Sequence, residues 1–187
     1  CGGSGEEYQR ALTALKERFP YRVWRCYEED FCGCRYTQNK VTKEIQVSQD
    51  EFSQQKIRPI TVPRVRALQR QELATEKEIS IFRKVNGSGN WLVSNTRPDL
   101  AGQVSTSQQC MPRPTLGQVL SANAYVKRAK QNSVAVNHKV IPMDEWSICV
   151  HSDASLNNLS DGGTQAGWIV AFTSGKLKEK KEACLLY

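Results

Sequence analysis

The sequence lacks any long hydrophobic run. No apolar stretch approaches about 18 residues, the length at which a segment becomes a candidate transmembrane helix, so no such helix is predicted. A basic stretch followed by a short apolar run, the pattern of a secretory signal, is also missing. Hydrophobic residues make up 39% and charged residues 24% of the 187 residues, which argues against wholesale disorder. The sequence therefore predicts one medium folded domain or two small ones.

Cysteine is present, but not in a pattern typical of disulfide-rich secreted proteins. The seven cysteines are odd in number and scattered, which predicts a reducing intracellular location, in the cytoplasm or nucleus. Cys26, Cys32 and Cys34 lie close together, but their spacing differs from the C-x2-C pairs of zinc sites and no histidine is nearby. A zinc site and small apolar residues packed in a strand are the two interpretations, and the spacing favours the second.

Acidic residues are scarce in the middle of the chain. Residues 55–140 contain 14 Lys and Arg but only 4 Asp and Glu, whereas the remaining residues hold 12 basic and 15 acidic groups. The net charge of +7 therefore comes from this middle segment. An ordinary solvated surface and a surface for a polyanion, bound through counterion release, both fit this charge distribution.

Several segments have the patterns of helices. A capping-box pattern at residues 4–7 and a stop at Pro20 predict a first helix, and good helix formers predict another over residues 66–85, ended by the breaker NGSGN at residues 86–90. Pro98 suits the first turn of a further helix, and a second capping-box pattern at residues 115–118 opens the last one. The predicted inward faces are Tyr8, Leu12, Leu15 and Phe19 in the first helix, and Leu116, Val119, Leu120 and Ala124 in the last.

Alternation of apolar and polar residues predicts the strands. Residues 31–38 and 44–49 form a predicted hairpin with a connection at 39–43, and a helix is expected at about residues 50–55. Towards the C-terminus, strands are predicted over residues 146–153, 166–173 and 183–187.

Four stretches, in order along the chain, resemble the Pol polyprotein of copia-type retrotransposons. Residues 31–33 (FCG) with 45–52 resemble the hairpin that follows the polymerase active site in that family. Residues 91–92 (WL) and 96–100 (TRPDL) are similar to its "WL…TRPDL" stretch, and residues 113–124 to the helix that precedes RNase H. Residues 151–155 (HSDAS) and 164–168 (TQAGW) are similar to the opening of its RNase H domain.

The resemblance implies an α+β chain in three parts: the end of the reverse transcriptase palm with a primer-grip-like hairpin (residues 1–61), a helical thumb-like segment (62–132) and the first antiparallel strands of an RNase H-like domain (133–187). It implies RNA-directed DNA polymerase and hybrid ribonuclease activity in the intact family. It also implies an RNA–DNA hybrid or duplex and the remainder of the Pol polyprotein as partners, and no membrane.

The site residues follow from the resemblance together with the charge. Asp153 matches one catalytic and metal-binding carboxylate of RNase H, which uses Mg²⁺ in the intact family. Arg97, Lys127, Arg128 and Lys130 are the candidate nucleic-acid contacts, although cations in the last turn of a helix also suit its dipole.

The sequence contains no two adjacent aspartates, whereas the family's polymerase site uses such a pair. We therefore expect an internal piece of a longer polyprotein, starting just after that motif, that binds nucleic acid, is inactive alone and holds no metal. A retained non-catalytic binding remnant is the alternative, and a small metal-dependent nuclease built on Asp153 is a third. If the chain is such a piece, one face of its last sheet should be poorly covered, leaving Trp168 or Val170 exposed.

Overall fold

The computed structural model describes residues 5–20, 22–23, 25–156, 162–175 and 183–186, and it shows strands and helices in separate stretches of the chain. The helices are α1 (Glu6–Arg18), α2 (Asp50–Gln55), α3 (Arg64–Ala67), α4 (Glu76–Val93), α5 (Ala101–Gln109), α6 (Leu116–Ser121) and α7 (Asn123–Gln131), with short 3-10 helices at Pro98–Leu100 and Met143–Glu145. The strands are β1 (Glu28–Phe31), β2 (Cys34–Gln38), β3 (Ile45–Ser48), β4 (Ala135–His138), β5 (Trp146–Ser155), β6 (Gln165–Ser174) and β7 (Ala183–Leu186). The chain is therefore a mixed α+β protein.

A four-stranded antiparallel sheet has the order β1-β2-β3-β4. The prediction of one strand over residues 31–38 is wrong, because Cys32 and Gly33 form a two-residue turn between β1 and β2. Both residues have positive φ, 51° and 79°, as a tight hairpin turn requires. The connection at 39–43 and the short helix α2 are found at their predicted positions.

The fourth strand of this sheet comes from far along the chain. β4 pairs with β3 so that Ser48 lies opposite Ala135 and Val47 opposite Val136. The sequence patterns predict no strand here, and residues 135–138 fall within the segment assigned to the RNase H-like part. The strand therefore joins the first and third predicted segments in one sheet.

Helix α4 begins at Glu76 and runs through the predicted breaker at residues 86–90, so both bounds of the helix predicted over residues 66–85 are wrong. The glycine at position 89 is buried, and a Cβ there would lie 2.9 Å from Tyr125 Cε2 and 3.1 Å from Val104 Cγ2. Asn86 accepts hydrogen bonds from Ser107 Oγ at 2.7 Å and from Tyr125 Oη at 3.0 Å. Close packing against α5 and α7 therefore explains this stretch better than chain reversal.

The main core lies between α4, α5, α6 and α7. Phe82, Leu92, Leu100, Val119 and Tyr125 are at most 1% exposed and belong to one cluster of buried side chains. The capping box at Thr115 and Gln118 is confirmed, as is the burial of Leu116 and Val119. Ala124 is exposed instead of buried, because Tyr125 and Val126 take the inward positions.

The first helix, α1, forms where predicted and has Gly5 at its N-cap position, whereas Ser4 of the predicted capping box lies outside the described residues. None of its residues is buried, and Phe19 is 51% exposed. The apolar stripe therefore makes a helix but contributes no side chain to the core.

The second sheet has the order β5-β6-β7 and is antiparallel throughout, which confirms the predicted strands. Trp146, Ile148 and Val150 share one face with Trp168, and these side chains are 51%, 65%, 60% and 71% exposed. The expectation of a poorly covered face is met at Trp168, whereas Val170 is half-buried. No helix in the described part of the chain combines the length and hydrophobicity needed to cross a membrane.

The start of α4 is fixed by an ion pair and a capping box. Glu78 accepts from the Thr75 backbone amide at 2.7 Å, and its carboxylate accepts two hydrogen bonds from Arg66, each 3.0 Å long. These bonds, led by those from Arg66, lower the pKa of Glu78 to about 2, although burial acts in the opposite direction. Glu78 therefore stays ionised down to low pH.

Two glycines of α4 give a matched test of the packing. Gly89→Ala should destabilise the protein by about 1–3 kcal/mol, because the added methyl group overpacks the contact with Tyr125. Gly87→Ala should stabilise it by about 0.5–1 kcal/mol, because Ala favours a helix and nothing lies within 4 Å of the new Cβ. Urea unfolding of both variants measures the difference, and equal effects would contradict the packing argument.

The Glu78 carboxylate should give stability that depends on pH. Because its pKa is lower in the folded protein than in the unfolded chain, its contribution is complete above about pH 4.5 and is lost as pH falls towards 2. At pH 7, Glu78→Gln should cost about 1–3 kcal/mol, and that difference from wild type should shrink in acid. The control is Glu76→Gln, in the same turn and exposed. A difference that did not change between pH 7 and 3 would contradict the assignment.

Candidate nucleic-acid interface

Arg97 lies inside the structure and not on its surface. Its side chain is 3% exposed, and its Nε and Nη2 donate to the two carboxylate oxygens of Asp99 at 2.8 and 3.0 Å. Its Nη1 donates to the backbone carbonyls of Ala129 and Asn132, at the C-terminal end of α7. A helix end leaves such carbonyls unpaired, so Arg97 satisfies them. We therefore give Arg97 a structural role and leave it out of the candidate interface.

The neighbours of Arg97 extend this structural role. The buried Thr96 hydroxyl donates to Gln49 Oε1 at 2.8 Å, which connects the end of α4 to the residue that precedes α2. Hydrogen bonds from Arg97, opposed by partial burial, lower the pKa of Asp99. The TRPDL stretch is thus explained by packing between α4, α2 and α7.

The three candidate cations of α7 differ in how accessible their charged groups are to a ligand. Lys127 is exposed and has no ion pair within the described part of the chain. The side chain of Arg128 is 49% exposed, with Nε 3.4 Å from Asp99 Oδ2. Lys130 is half-buried, and its Nζ donates to the Gln54 carbonyl at 2.6 Å. Lys127 is therefore the most available to a phosphate, Arg128 partly so, and Lys130 also holds α7 to α2.

The outer face of α4 is a feature that the sequence analysis missed. Lys77, Lys84 and Trp91 follow one another at intervals of seven residues, nearly two helical turns, so they lie along one side of the helix. Gly87 lies between the last two on the same side, with open space where a Cβ would be. Lys77 and Lys84 are exposed and have no salt bridge among the described residues, and Trp91 is 38% exposed.

This face can make three kinds of contact with a polyanion. The ammonium groups of Lys77 and Lys84 can neutralise phosphates, and the Trp91 ring offers a flat apolar surface for a sugar or base. Gly87 allows the helix backbone to come close to a bound strand. The signal was the interval of seven residues, hidden because NGSGN predicted a break between Lys84 and Trp91.

Asp153 lies in β5 opposite Gly167 of β6, on the same sheet face as Cys149 and His151. It is exposed at a groove between α5 and the ends of these strands, with Ser105, Gln109 and Ser155 close by. Among the described residues lining this groove, Asp153 is the one carboxylate, and no three His, Cys, Asp or Glu residues in the described part of the chain come together. Because Mg²⁺ is held by several oxygen ligands, this donor set does not fit a catalytic magnesium site.

The three clustered cysteines lie in different environments. Cys34 is 1% exposed in β2, where burial raises the pKa of its thiol, whereas Cys26 and Cys32 are exposed. The interpretation as a small apolar residue in a strand therefore fits Cys34 alone.

Comparison with known proteins gives no relative from which a function could be transferred. No family model, no curated protein and no solved structure matches the chain.

Proposed function

We propose that the chain is a nucleic-acid-binding part of a reverse transcriptase and RNase H, of the kind found in copia-type Pol polyproteins, and that it acts inside the cell. In this proposal the helical unit α4–α7 holds an RNA–DNA hybrid or duplex without reading its sequence. The remainder of the polyprotein is the second partner.

The outer face of α4 is the observation that carries this proposal. Two lysines with no salt bridge to any described residue, an accessible helix backbone at Gly87 and an exposed tryptophan lie along one side of a helix, and its opposite side is fixed by the core. An ordinary solvated helix face accounts for the lysines, but it gives no reason for an exposed tryptophan beside a helical glycine. Phosphate contacts combined with an aromatic contact account for all of these features.

The order of the structural parts also supports the proposal. A hairpin near the start, a helical unit bearing the basic surplus and a final antiparallel sheet with Asp153 in its first strand follow the order that the resemblance implies. No step of phosphoryl transfer is assigned to the described residues, because their carboxylates do not form a metal site. The proposed contribution of this chain is binding and positioning.

A retained binding remnant without a catalytic partner remains the second candidate function, since it would use the same surface. A small nuclease built on Asp153 is disfavoured by the donor set around that residue. Adding the remaining polymerase part of a copia-type enzyme in trans separates the first two candidates, because only a chain that belongs to a polymerase would help that part to hold a primer.

Variants of α4 should distinguish the contribution of charge to binding from that of stacking. Wild-type affinity for an RNA–DNA hybrid should fall steeply with salt, and Lys84→Gln should reduce the slope of log K against log[salt] by about 0.9, the effect of one lost phosphate contact. Trp91→Ala should weaken binding by about 1–3 kcal/mol at every salt concentration while leaving the slope unchanged, since stacking releases no counterion. Fluorescence anisotropy between about 50 and 200 mM salt measures both.

The matched control for this test is Lys16→Gln, which removes the same charge from an exposed position of α1, outside the hairpin and the helical unit. Its affinity and slope should stay close to those of wild type. Equal losses in Lys16→Gln and Lys84→Gln would show that net charge alone drives binding, and a flat salt response of wild type would rule out the proposed interface.

Catalysis by the purified chain is a separate expectation. With Mg²⁺ and a primed template, we expect no extension and no cleavage of a hybrid, because no carboxylate cluster for two-metal chemistry is present among the described residues. A sensitive gel assay with a complete polymerase as positive control measures both activities. If the purified chain cleaved the hybrid and Asp153→Asn abolished that cleavage, the nuclease hypothesis would be restored.

A further inference from the structure

The segment of residues 63–74, which contains α3 and is called the α3 loop below, exposes three large apolar side chains: Val65 and Leu68 at α3, and Leu73, which lies nearer the start of α4 and is 60% exposed. Val65 is 76% exposed and Leu68 is 80% exposed. Single exposed apolar residues are ordinary on protein surfaces. Here, however, Val65 and Leu68 lie three residues apart on a turn of helix, so they are neighbours on one side of it.

The α3 loop is held rigidly by the side chain of Arg66. Its Nη2 donates to the Leu73 carbonyl at 2.9 Å and to Glu78 at 3.0 Å, and its Nη1 donates to Glu72 at 2.7 Å. A single guanidinium therefore joins α3, the end of the loop and the start of α4. An exposed loop fixed by this many bonds keeps its outward side chains in place.

Backbone contacts with the start of α6 fix the same loop from the other side. The Leu116 amide donates to the Glu72 carbonyl at 2.8 Å, and the Gly117 amide donates to the Arg70 carbonyl at 2.9 Å. A Cβ at position 117 would lie 3.0 Å from that Arg70 oxygen, so glycine permits this approach. The α3 loop is thus hydrogen-bonded to the starts of two helices of the core, α4 and α6.

The outward side of α3 also carries positively charged side chains. Arg64 lies one turn before Leu68 and beside Val65, whereas Arg66 points to the opposite side of the turn, towards Glu78. The one acidic residue of the loop, Glu72, is paired with Arg66. Arg64 and Arg70 are exposed and have no ion pair in the described residues, so the outward surface is cationic and apolar together.

We propose that the outward side of the α3 loop, formed by Arg64, Val65 and Leu68, is a second docking surface for a nucleic-acid strand. Arg64 binds a phosphate, while Val65 and Leu68 pack against the sugar rings or base faces beside it. This inference rests on the proposed function and adds an apolar, salt-independent contact to it. The cationic surroundings favour a polyanion, and the fixed loop lowers the entropy cost of binding.

The test compares substitutions that keep the charge with one that removes it. Val65→Thr combined with Leu68→Gln should lower the affinity for an RNA–DNA hybrid roughly tenfold, the loss expected when one or two methylene groups are no longer buried. The loss should be equal at about 50 and 200 mM salt, whereas Arg64→Gln should reduce the salt slope by about 0.9. Both substituted apolar residues are exposed, and circular dichroism confirms that the fold is kept.

The matched control is Val140→Thr, since Val140 is 59% exposed between β4 and the 3-10 helix Met143–Glu145 and its substitution should not affect binding. If wild type binds and the double variant binds equally well, the inference is wrong while the proposed function stands. If wild type does not bind hybrid at all, both the inference and the proposed function are wrong. If anionic phospholipid vesicles bind wild type but not the double variant, and hybrid binding is unchanged, the surface belongs to a membrane and the inference is overturned.

Discussion

The contact between Gly89 of α4 and the ring of Tyr125 of α7 determines much of the arrangement of the helical unit. Because position 89 has no side chain, the tyrosine packs directly against the α4 backbone while its hydroxyl donates to Asn86. This contact fixes which side of α4 faces the core. The opposite side, with Lys77, Lys84 and Trp91, is then turned outward as a consequence. The candidate interface therefore depends on a buried contact that touches no ligand.

The basic surplus of the middle segment divides into two groups with different roles. Arg66 and Arg97 each make several hydrogen bonds within the fold, one at the start of α4 and the other at the end of α7. Lys77, Lys84 and Lys127 are exposed and make no ion pair within the described residues. Charge counts alone overstate the binding surface, since an arginine that satisfies helix carbonyls offers nothing to a phosphate.

Local patterns predicted the elements whose signals lie within a few neighbouring residues. The capping box at residues 115–118 and the alternation over residues 146–153 are of this kind, and both elements formed as predicted. The α4 error arose because the local preference of NGSGN for a turn was overridden by packing against Val104 and Tyr125. The burial of Arg97 was equally hidden, because its partners at Ala129 and Asn132 are distant in sequence. For the candidate site, the charge of the segment was visible beforehand, but its placement on helix faces was not.

The pairing of β3 with β4 has a consequence for the order of folding. All six helices from α2 to α7 lie between these strands in the chain, so Ser48 and Ala135 meet only after that intervening segment has become compact. Closing so long a loop costs chain entropy before the strand contacts form, and such non-local pairings slow folding. The first three strands can pair early through short turns, whereas β4 completes the sheet late. The helical unit is thus an insertion within a sheet, and its compactness controls when the sheet is finished.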